Sequence, residues 1–179
     1  VLLGDFGKVG LSSNLVAQEV FTEFDLSSAN GTDVLEGGLS GDILIAGGGI
    51  AGQTESITDL EGSNVALGDF GLASGARMLD AVSLVESFAS TNGSSDRITT
   101  GRGNDIHVGG EGNDTLNAGS GGDIVIGDLG RVNPGNAVIE SMASTDSGDD
   151  RFTAEAADNV FDIVIGVVGS DTVFGGLGG

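Results

Sequence analysis

Four aspartates in the middle of the chain share a spacing of nine residues. They are Asp96, Asp105, Asp114 and Asp123. A larger residue lies two positions after each of them, and these residues are Ile98, His107, Leu116 and Val125. Carboxylates that recur at a fixed period could hold a row of cations, whereas an acid–base enzyme such as a glycosidase needs one pair at one place. The repetition therefore favours metal binding over catalysis.

The segments between these aspartates are rich in glycine and read GRGND, GGEGND and GSGGD. A strand of three or four residues sends alternate side chains to opposite faces, and glycine allows the positive φ angles of tight turns. Each nine-residue unit therefore predicts one short strand and one turn. Two units form a coil of about eighteen residues, which places Asp96 above Asp114 and Asp105 above Asp123 at roughly one strand spacing, 4.8 Å.

Two carboxylates at that spacing repel each other unless a cation lies between them. Calcium fits because it accepts six to eight oxygen ligands at about 2.3–2.6 Å in tolerant geometry, whereas magnesium requires strict octahedral geometry. Main-chain carbonyls of the turns would supply the remaining ligands. The turn positions predicted to contribute to metal sites are Thr100, Arg102, Gly109, Glu111, Ala118 and Ser120.

The nine-residue unit resembles G-G-x-G-x-D-x-U-x, with U a large apolar residue, the calcium-binding nonapeptide of the RTX (repeats-in-toxin) proteins. The resemblance implies an all-β fold, a parallel β-roll or β-solenoid with Ca²⁺ between coils, interrupted by longer excursions. It also implies type I secretion and an extracellular or cell-surface location, where calcium is abundant.

A slower repeat overlies the fast one. LGDFG at Leu3 to Gly7 recurs at Leu67 to Gly71 and as IGDLG at Ile126 to Gly130, so that the aspartates Asp5, Asp69 and Asp128 are 64 and 59 residues apart. Three units of about sixty residues follow, at approximately 1–64, 65–123 and 124–179. This arrangement resembles the RTX arrays of giant secreted adhesin-like proteins, and we expect a fragment or one period of a longer array. The conformation of the excursions at 8–20, 72–82 and 131–137 stays open.

The three units differ in their predicted metal sites. In the third, twelve residues separate Asp150 from Asp162, before Asp162 and Asp171 restore the interval of nine. In the first, Asp33 and Asp42 keep that interval, but the positions eighteen residues later carry Ala51 and Leu60, so that calcium would need Asp59, Asn64 or a carbonyl instead. The predicted order of strength is central, third, first.

Composition excludes several functions. Six Lys and Arg stand against 27 Asp and Glu, for a net charge of −21, so that nucleic acid and anionic membrane surfaces are disfavoured partners. No apolar run approaches the roughly 20 residues of a membrane-spanning helix. Hydrophobic residues nevertheless make up 39% of the chain, which is more than a disordered acidic tail would have. A thin coil would need only one ladder of Val, Ile and Leu.

Two sets of residues invite a chemical role and are better explained structurally. His107, the one histidine, occupies an inward position and is predicted to be a packed core residue. Glu23, Glu86 and Glu140 recur once per unit and are predicted to be strand residues that face solvent or an arginine.

The sequence therefore predicts a calcium-stabilised extracellular structural module without enzymatic activity, such as a spacer, a surface-array segment or a filament subunit. The main alternative is the export and folding domain of a secreted hydrolase or toxin, followed by a catalytic β-helix and an ice-binding surface. The last residues, GGLGG, and the first, VLLGD, would together regenerate a repeat if one Asp or Asn lay between them. Neighbouring copies or repeats placed end to end are therefore the predicted partners.

Overall fold

The computed structural model describes residues 1–3, 7–11, 17–22, 31–50, 52–77, 81–90, 93–143, 148–154 and 160–174. In these ranges the chain is all-β, with one short 3₁₀ turn at Pro134–Asn136. None of the described residues forms a helix that is long and apolar enough to cross a membrane.

The described strands are short. In chain order they are β1 (Leu2–Leu3), β2 (Gly7–Leu11), β3 (Ala17–Thr22), β4 (Val34–Glu36), β5 (Ile43–Ile45), β6 (Thr54–Glu61), β7 (Val65–Leu67), β8 (Gly71–Arg77), β9 (Ala81–Ser87), β10 (Ser95–Arg102), β11 (Ile106–Val108), β12 (Thr115–Gly119), β13 (Ile124–Ile126), β14 (Gly130–Asn133), β15 (Val138–Ser141), β16 (Arg151–Ala154), β17 (Ile163–Ile165) and β18 (Thr172–Phe174).

These strands form three six-stranded sheets. The inner sheet has the order β1-β5-β7-β11-β13-β17, and the outer sheet has the order β18-β16-β12-β10-β6-β4. Every pairing within these two sheets is parallel. From β4 onward the chain passes alternately between the outer and the inner sheet, and one outer strand with the next inner strand makes one winding. The expected all-β class with parallel pairing is therefore confirmed.

The three excursions form β-hairpins, β2–β3, β8–β9 and β14–β15. Neighbouring hairpins also pair, through β3 with β8 and β9 with β14. Together they form one antiparallel sheet, the hairpin sheet, of order β15-β14-β9-β8-β3-β2. One hairpin from each sixty-residue unit thus contributes to a layer that no unit could build alone.

The inner sheet is covered on both faces. On one face its middle residues, such as Leu44 and Val125, pack with Ile98 and Leu116 of the outer sheet. On the other face its flanking residues pack against the hairpin sheet, as Val108 does near Val85 and Val132. The expectation of a single apolar ladder is therefore wrong. The strands β5, β7 and β13 of the inner sheet read ILI, VAL and IVI. Parallel strands that are buried on both faces are apolar at nearly every position.

The first unit stacks differently from the prediction. Asp33 lies beside Glu55, since Val34 pairs with Ser56, and Asp42 lies beside Asn64. Ala51 lies outside the described residues, and Leu60 is exposed on the outer sheet. The separation from Asp42 to Asn64 is 22 residues instead of 18, because the connection from β5 to β6 is longer than the turn from β11 to β12.

Glycine is required in the turn after β11 for two reasons. Gly110 has a φ of 119°, and a Cβ there would meet the carboxylate of Asp69 in the preceding winding. Gly52 has a φ of 82°, but a Cβ there would meet nothing.

Alanine substitutions at these two glycines distinguish the cost of backbone strain from the cost of a steric conflict. Gly52→Ala should cost about 1–2 kcal/mol, the penalty of a positive φ for a residue with a Cβ. Gly110→Ala should cost clearly more, because the buried Asp69 must also move. Denaturant unfolding of the two variants measures the difference, and equal losses would contradict the packing of Asp69 against this turn.

Candidate metal centre: two carboxylate ladders

Two rows of acidic or amide side chains run along the sheets, one at each kind of turn between them. The first ladder lies at the N-terminal ends of the outer strands and consists of Asp33, Glu55, Asp96, Asp114, Asp150 and Asp171. The second ladder precedes the inner strands and consists of Asp42, Asn64, Asp105, Asp123 and Asp162. Short parallel strands in constant register place these residues one above the other.

One oxygen of each carboxylate joins successive windings in the first ladder. The backbone N–H of Asp96 donates to Oδ1 of Asp114 at 2.8 Å. Asp114 donates in the same way to Asp150 at 2.8 Å, and Asp150 to Asp171 at 3.1 Å. The N–H of Glu55 donates to Asp96. The predicted stacking of Asp96 with Asp114 is thus confirmed.

The second ladder repeats this geometry. The N–H of Asp105 donates to Oδ1 of Asp123 at 2.9 Å, as the predicted stacking requires, and Asp123 donates to Asp162 at 3.0 Å. Asn64 occupies the same position with an amide oxygen. Its Oδ1 accepts the backbone N–H of Asp42 at 2.8 Å, and its own backbone N–H donates to Oδ1 of Asp105 at 2.6 Å. The hydrogen-bond role therefore needs an oxygen at this position but no charge.

The other carboxylate oxygens are the unusual feature. Several are buried and have no hydrogen-bond partner within the described part of the chain: Oδ2 of Asp33, Asp96, Asp105, Asp114 and Asp150. A buried polar atom without a partner costs free energy, and a buried charge costs far more. Each of these oxygens therefore requires either a proton or a cation.

Main-chain carbonyls border the same points. A Cβ at Gly109 would meet both Oδ2 of Asp114 and the carbonyl oxygen of Gly127. A Cβ at Gly68 would meet both Oδ2 of Asp96 and the carbonyl oxygen of Gly109. Carboxylate and carbonyl oxygens together are the ligands that calcium prefers, and the absence of a side chain at these glycines lets the two kinds of oxygen approach each other. The donors present therefore fit Ca²⁺.

Side chains alone do not complete a metal site. Among the described residues, no three carboxylate or imidazole groups come together in a way that could hold a metal. An ion bound here would therefore depend on backbone oxygens, as the turns at Gly109 and Gly127 would allow.

Burial dominates the electrostatics of the ladders. It raises the pKa of Asp96 and of Asp150 from 3.8 to about 7, and that of Asp105 to about 6. The pKa of Asp114 is also raised well above its usual value, first by burial and then by the charge of Asp96. Without a cation, the folded protein therefore favours neutral carboxyl groups at these positions.

Thr100 and Ala118 meet in the core. The Thr100 hydroxyl donates to the carbonyl of Ala118 at 2.9 Å and lies 2.9 Å from Nε2 of His107. Burial lowers the pKa of His107 to about 3. His107 is a neutral, packed residue, as predicted, and the metal role of Thr100 and Ala118 stays a prediction for their carbonyls.

The remaining predicted ligands lie on the turns. Arg102 is exposed and forms a β-bridge with Ser120, whose carbonyl accepts from Gly103 at 3.0 Å. The carboxylate of Glu111 is buried and accepts the N–H of Ser90 at 3.1 Å. Asp162 and Asp171 occupy the last positions of their ladders and are partly exposed.

Sequence reasoning missed several acidic groups of this site. Glu55 and Asp150 belong to the first ladder, although intervals other than nine separate them from their neighbours. Asp69 and Asp128, from the two described GD-x-G turns, are fully buried beside it. The repetition of GD-x-G was visible in the sequence, but the burial of its aspartate was not.

The recurring glutamates lie in the hairpin sheet. Arg131 is the cross-strand partner of both Glu86 and Glu140, which agrees with the prediction of an arginine neighbour. Glu23 lies outside the described residues.

Comparison with protein-family models, with curated proteins and with solved structures finds no match to this chain. The geometry of the ladders is therefore the basis for a function.

The raised pKa values predict an inverted pH dependence for the metal-free protein. Because the folded state binds protons more tightly than the unfolded one, the stabilisation is complete below about pH 4 and is lost as the pH rises through about 7. In chelator, the Tm should be highest near pH 5 and should fall as the pH rises, by roughly 2–4 °C for each kcal/mol, until the folded state is lost toward neutral pH. Saturating calcium should reduce or reverse this order, because metal binding requires deprotonated ligands. Calorimetry in both conditions checks this, and a Tm that rises with pH in chelator would contradict it.

Proposed function

We propose that the chain is a calcium-stabilised parallel β-roll that serves as an extracellular structural module, such as a spacer, a surface-array segment or a filament subunit. One observation carries the proposal: rows of buried carboxylate oxygens without hydrogen-bond partners among the described residues, of which those of Asp96, Asp114 and Asp150 lie beside buried glycine turns. At neutral pH and millimolar calcium, ions between the windings would neutralise these rows. The net charge of −21 adds repulsion that such ions would also relieve.

Repetition supports a structural role over an enzymatic one. The ladder geometry recurs from Asp96 to Asp171 with nearly constant hydrogen bonds, whereas a catalytic centre needs one place where groups of different pKa and role converge. We therefore propose that the chain is not an enzyme.

The alternative is an export and folding domain of a secreted hydrolase or toxin. The raised pKa values of Asp96 and Asp150 favour it as well, because a chain that folds only on meeting calcium stays unfolded until it has left the cell. A further domain with its own catalytic residues would decide between the two functions.

Calcium should be a folding ligand, since metal-binding free energy becomes folding free energy when the unfolded chain has no site. Excess EDTA at neutral pH should convert a β-rich circular dichroism spectrum to a coil-like one, and millimolar calcium should restore it. An unchanged spectrum, with metal loss confirmed by elemental analysis, would overturn the mechanism.

A pair of variants tests whether calcium binds at the carboxylate ladders. Asp114→Asn keeps the acceptor for the Asp96 N–H but removes the charge, so that calcium affinity measured by calorimetry should fall. Glu140→Gln, in the hairpin sheet, should leave it nearly unchanged. Equal losses would mean that the ladder does not hold the metal.

Neighbouring copies placed end to end are the partners that we propose. Within the described residues, the far edges of β17 and β18 pair with no strand. The row of core residues also opens there: Phe152 is 1% exposed, whereas Val173, the next residue in that row, is 54% exposed. A second copy shifted along the stacking direction, without rotation, would continue both parallel sheets with strands that run in the same direction. It would also continue the hairpin sheet, because with six alternating strands β15 of one copy and β2 of the next run antiparallel.

Assembly should therefore depend on this end face. In calcium, electron microscopy should find thin rods longer than one copy, and Val173→Lys should shorten them because it charges the open core. Leu60→Lys is the matched control, since Leu60 is 57% exposed but lies on β6, within the outer sheet. Single particles for the unsubstituted chain, or equal effects of the two changes, would contradict end-to-end stacking.

A further inference from the structure

Asp69 is a buried carboxylate at the point where the chain leaves the parallel sheets for the β8–β9 hairpin. It is 1% exposed. Its Oδ2 accepts the N–H of Glu111, in the next winding, at 2.6 Å. Its Oδ1 is buried and has no hydrogen-bond partner in the described part of the chain.

The surroundings of Asp69 are acidic. The neighbouring charges that raise its pKa, after burial itself, belong to Asp96, Asp114 and Glu55. Asp96 and Asp114 each direct an unpartnered Oδ2 toward the glycine turns of this corner, at Gly68 and Gly109. Asp69, Asp96 and Asp114 thus each have one buried oxygen that lacks a donor among the described residues.

The second described GD-x-G turn offers an internal comparison. Asp128 follows β13 as Asp69 follows β7, and it is equally buried. Its Oδ2 accepts the N–H of Val168 at 2.8 Å, which corresponds to the bond from Glu111 to Asp69. Its Oδ1 accepts the N–H of Gly148 at 3.3 Å. Of the two described GD-x-G turns, only the turn at Asp69 therefore has an unpartnered carboxylate oxygen.

We propose that Asp69 is a ligand of a divalent cation, Ca²⁺, held together with Asp96 and the carbonyl of Gly109, and that this ion fastens the β8–β9 hairpin to the parallel sheets. The inference rests on the calcium binding proposed above but assigns a different site. The ladder ions lie between two glycine turns, whereas this ion takes a side-chain ligand from the interruption itself.

The proposed ion would stabilise a different kind of connection from the ladder ions. The turn from Gly109 to Asp114 passes directly from the inner to the outer sheet, so that its ends are fixed by two adjacent strands. The connection from β7 to β10 contains the hairpin, and its two ends are held by Asp69 at the start and Asp96 at the return. An ion bound to both carboxylates joins the exit and the return of the chain.

Asp69→Asn and Asp128→Asn form the test. Both changes keep the shape of the side chain and an oxygen that can accept a backbone N–H. Bound calcium per chain is counted by elemental analysis after dialysis against calcium, and affinities are measured by calorimetry. We expect Asp69→Asn to lose about one ion per chain, because calcium affinity follows the number of charged ligands. Asp128→Asn should keep the full number.

Stability separates a metal ligand from a merely structural residue. In chelator near pH 5, where protonation keeps the metal-free chain folded, Asp69→Asn should be at least as stable as the unsubstituted chain, because it removes a buried carboxyl whose Oδ1 lacks a partner among the described residues. In calcium, it should show a smaller rise in Tm than Asp128→Asn. A structural role alone would instead lower stability equally in both conditions, and that result would overturn the inference.

The two proposals fail in different ways. If the unsubstituted chain binds no calcium, the proposed function and this site are both wrong. If it binds calcium and Asp69→Asn binds the same number of ions with the same affinity, only the assignment of Asp69 is wrong.

Discussion

The need to satisfy buried carboxylate oxygens is the constraint on which the rest of the structure depends. From Asp96 onward, each aspartate of the ladders uses one oxygen to accept a backbone N–H from the preceding winding, and these bonds set the register between windings. The second oxygen of Asp96, Asp105 or Asp114 is buried and meets no hydrogen-bond donor among the residues that the structure describes. Since burial excludes water, the folded state must bring in a proton or a cation for each of these atoms.

This constraint also explains where glycine and the hairpins occur. Gly68, Gly109 and Gly127 follow inner strands, and each leaves the volume that an aspartate oxygen fills. The β8–β9 and β14–β15 hairpins are inserted at the same kind of turn, from the inner to the outer sheet. A chain that leaves an inner strand at this turn lies next to the face of the inner sheet that the outer sheet does not cover. The hairpin can therefore pack on that face. Direct glycine turns and hairpins are thus two ways of making the same connection from an inner to an outer strand.

The sequence predicted those features that repeat at a period of nine and failed where that period is broken. Asp96 and Asp114 could be paired because equal strands and equal turns fix the register. Asp33 could not be paired with Glu55 in advance, since that pairing depends on the length of an irregular connection. Asn64 was hard to place because an amide fills a position that the pattern reserves for aspartate. The hairpin sheet was unpredictable for a different reason: β9 and β14 pair across units, and no local pattern encodes contacts at that distance.

Protons and cations compete for the same oxygens, and this competition links the composition of the chain to its environment. With pKa values near 7 for Asp96 and Asp150, the metal-free fold is best satisfied in acid, where protons are abundant. Near neutral pH, protonation becomes incomplete and the remaining charges lie close together without basic partners, since the chain has only six Lys and Arg. Under the proposed calcium binding, one cation would replace two protons at once, because it would bind oxygens from successive windings. The same residues that destabilise the empty fold at neutral pH would therefore make it rigid when calcium is present.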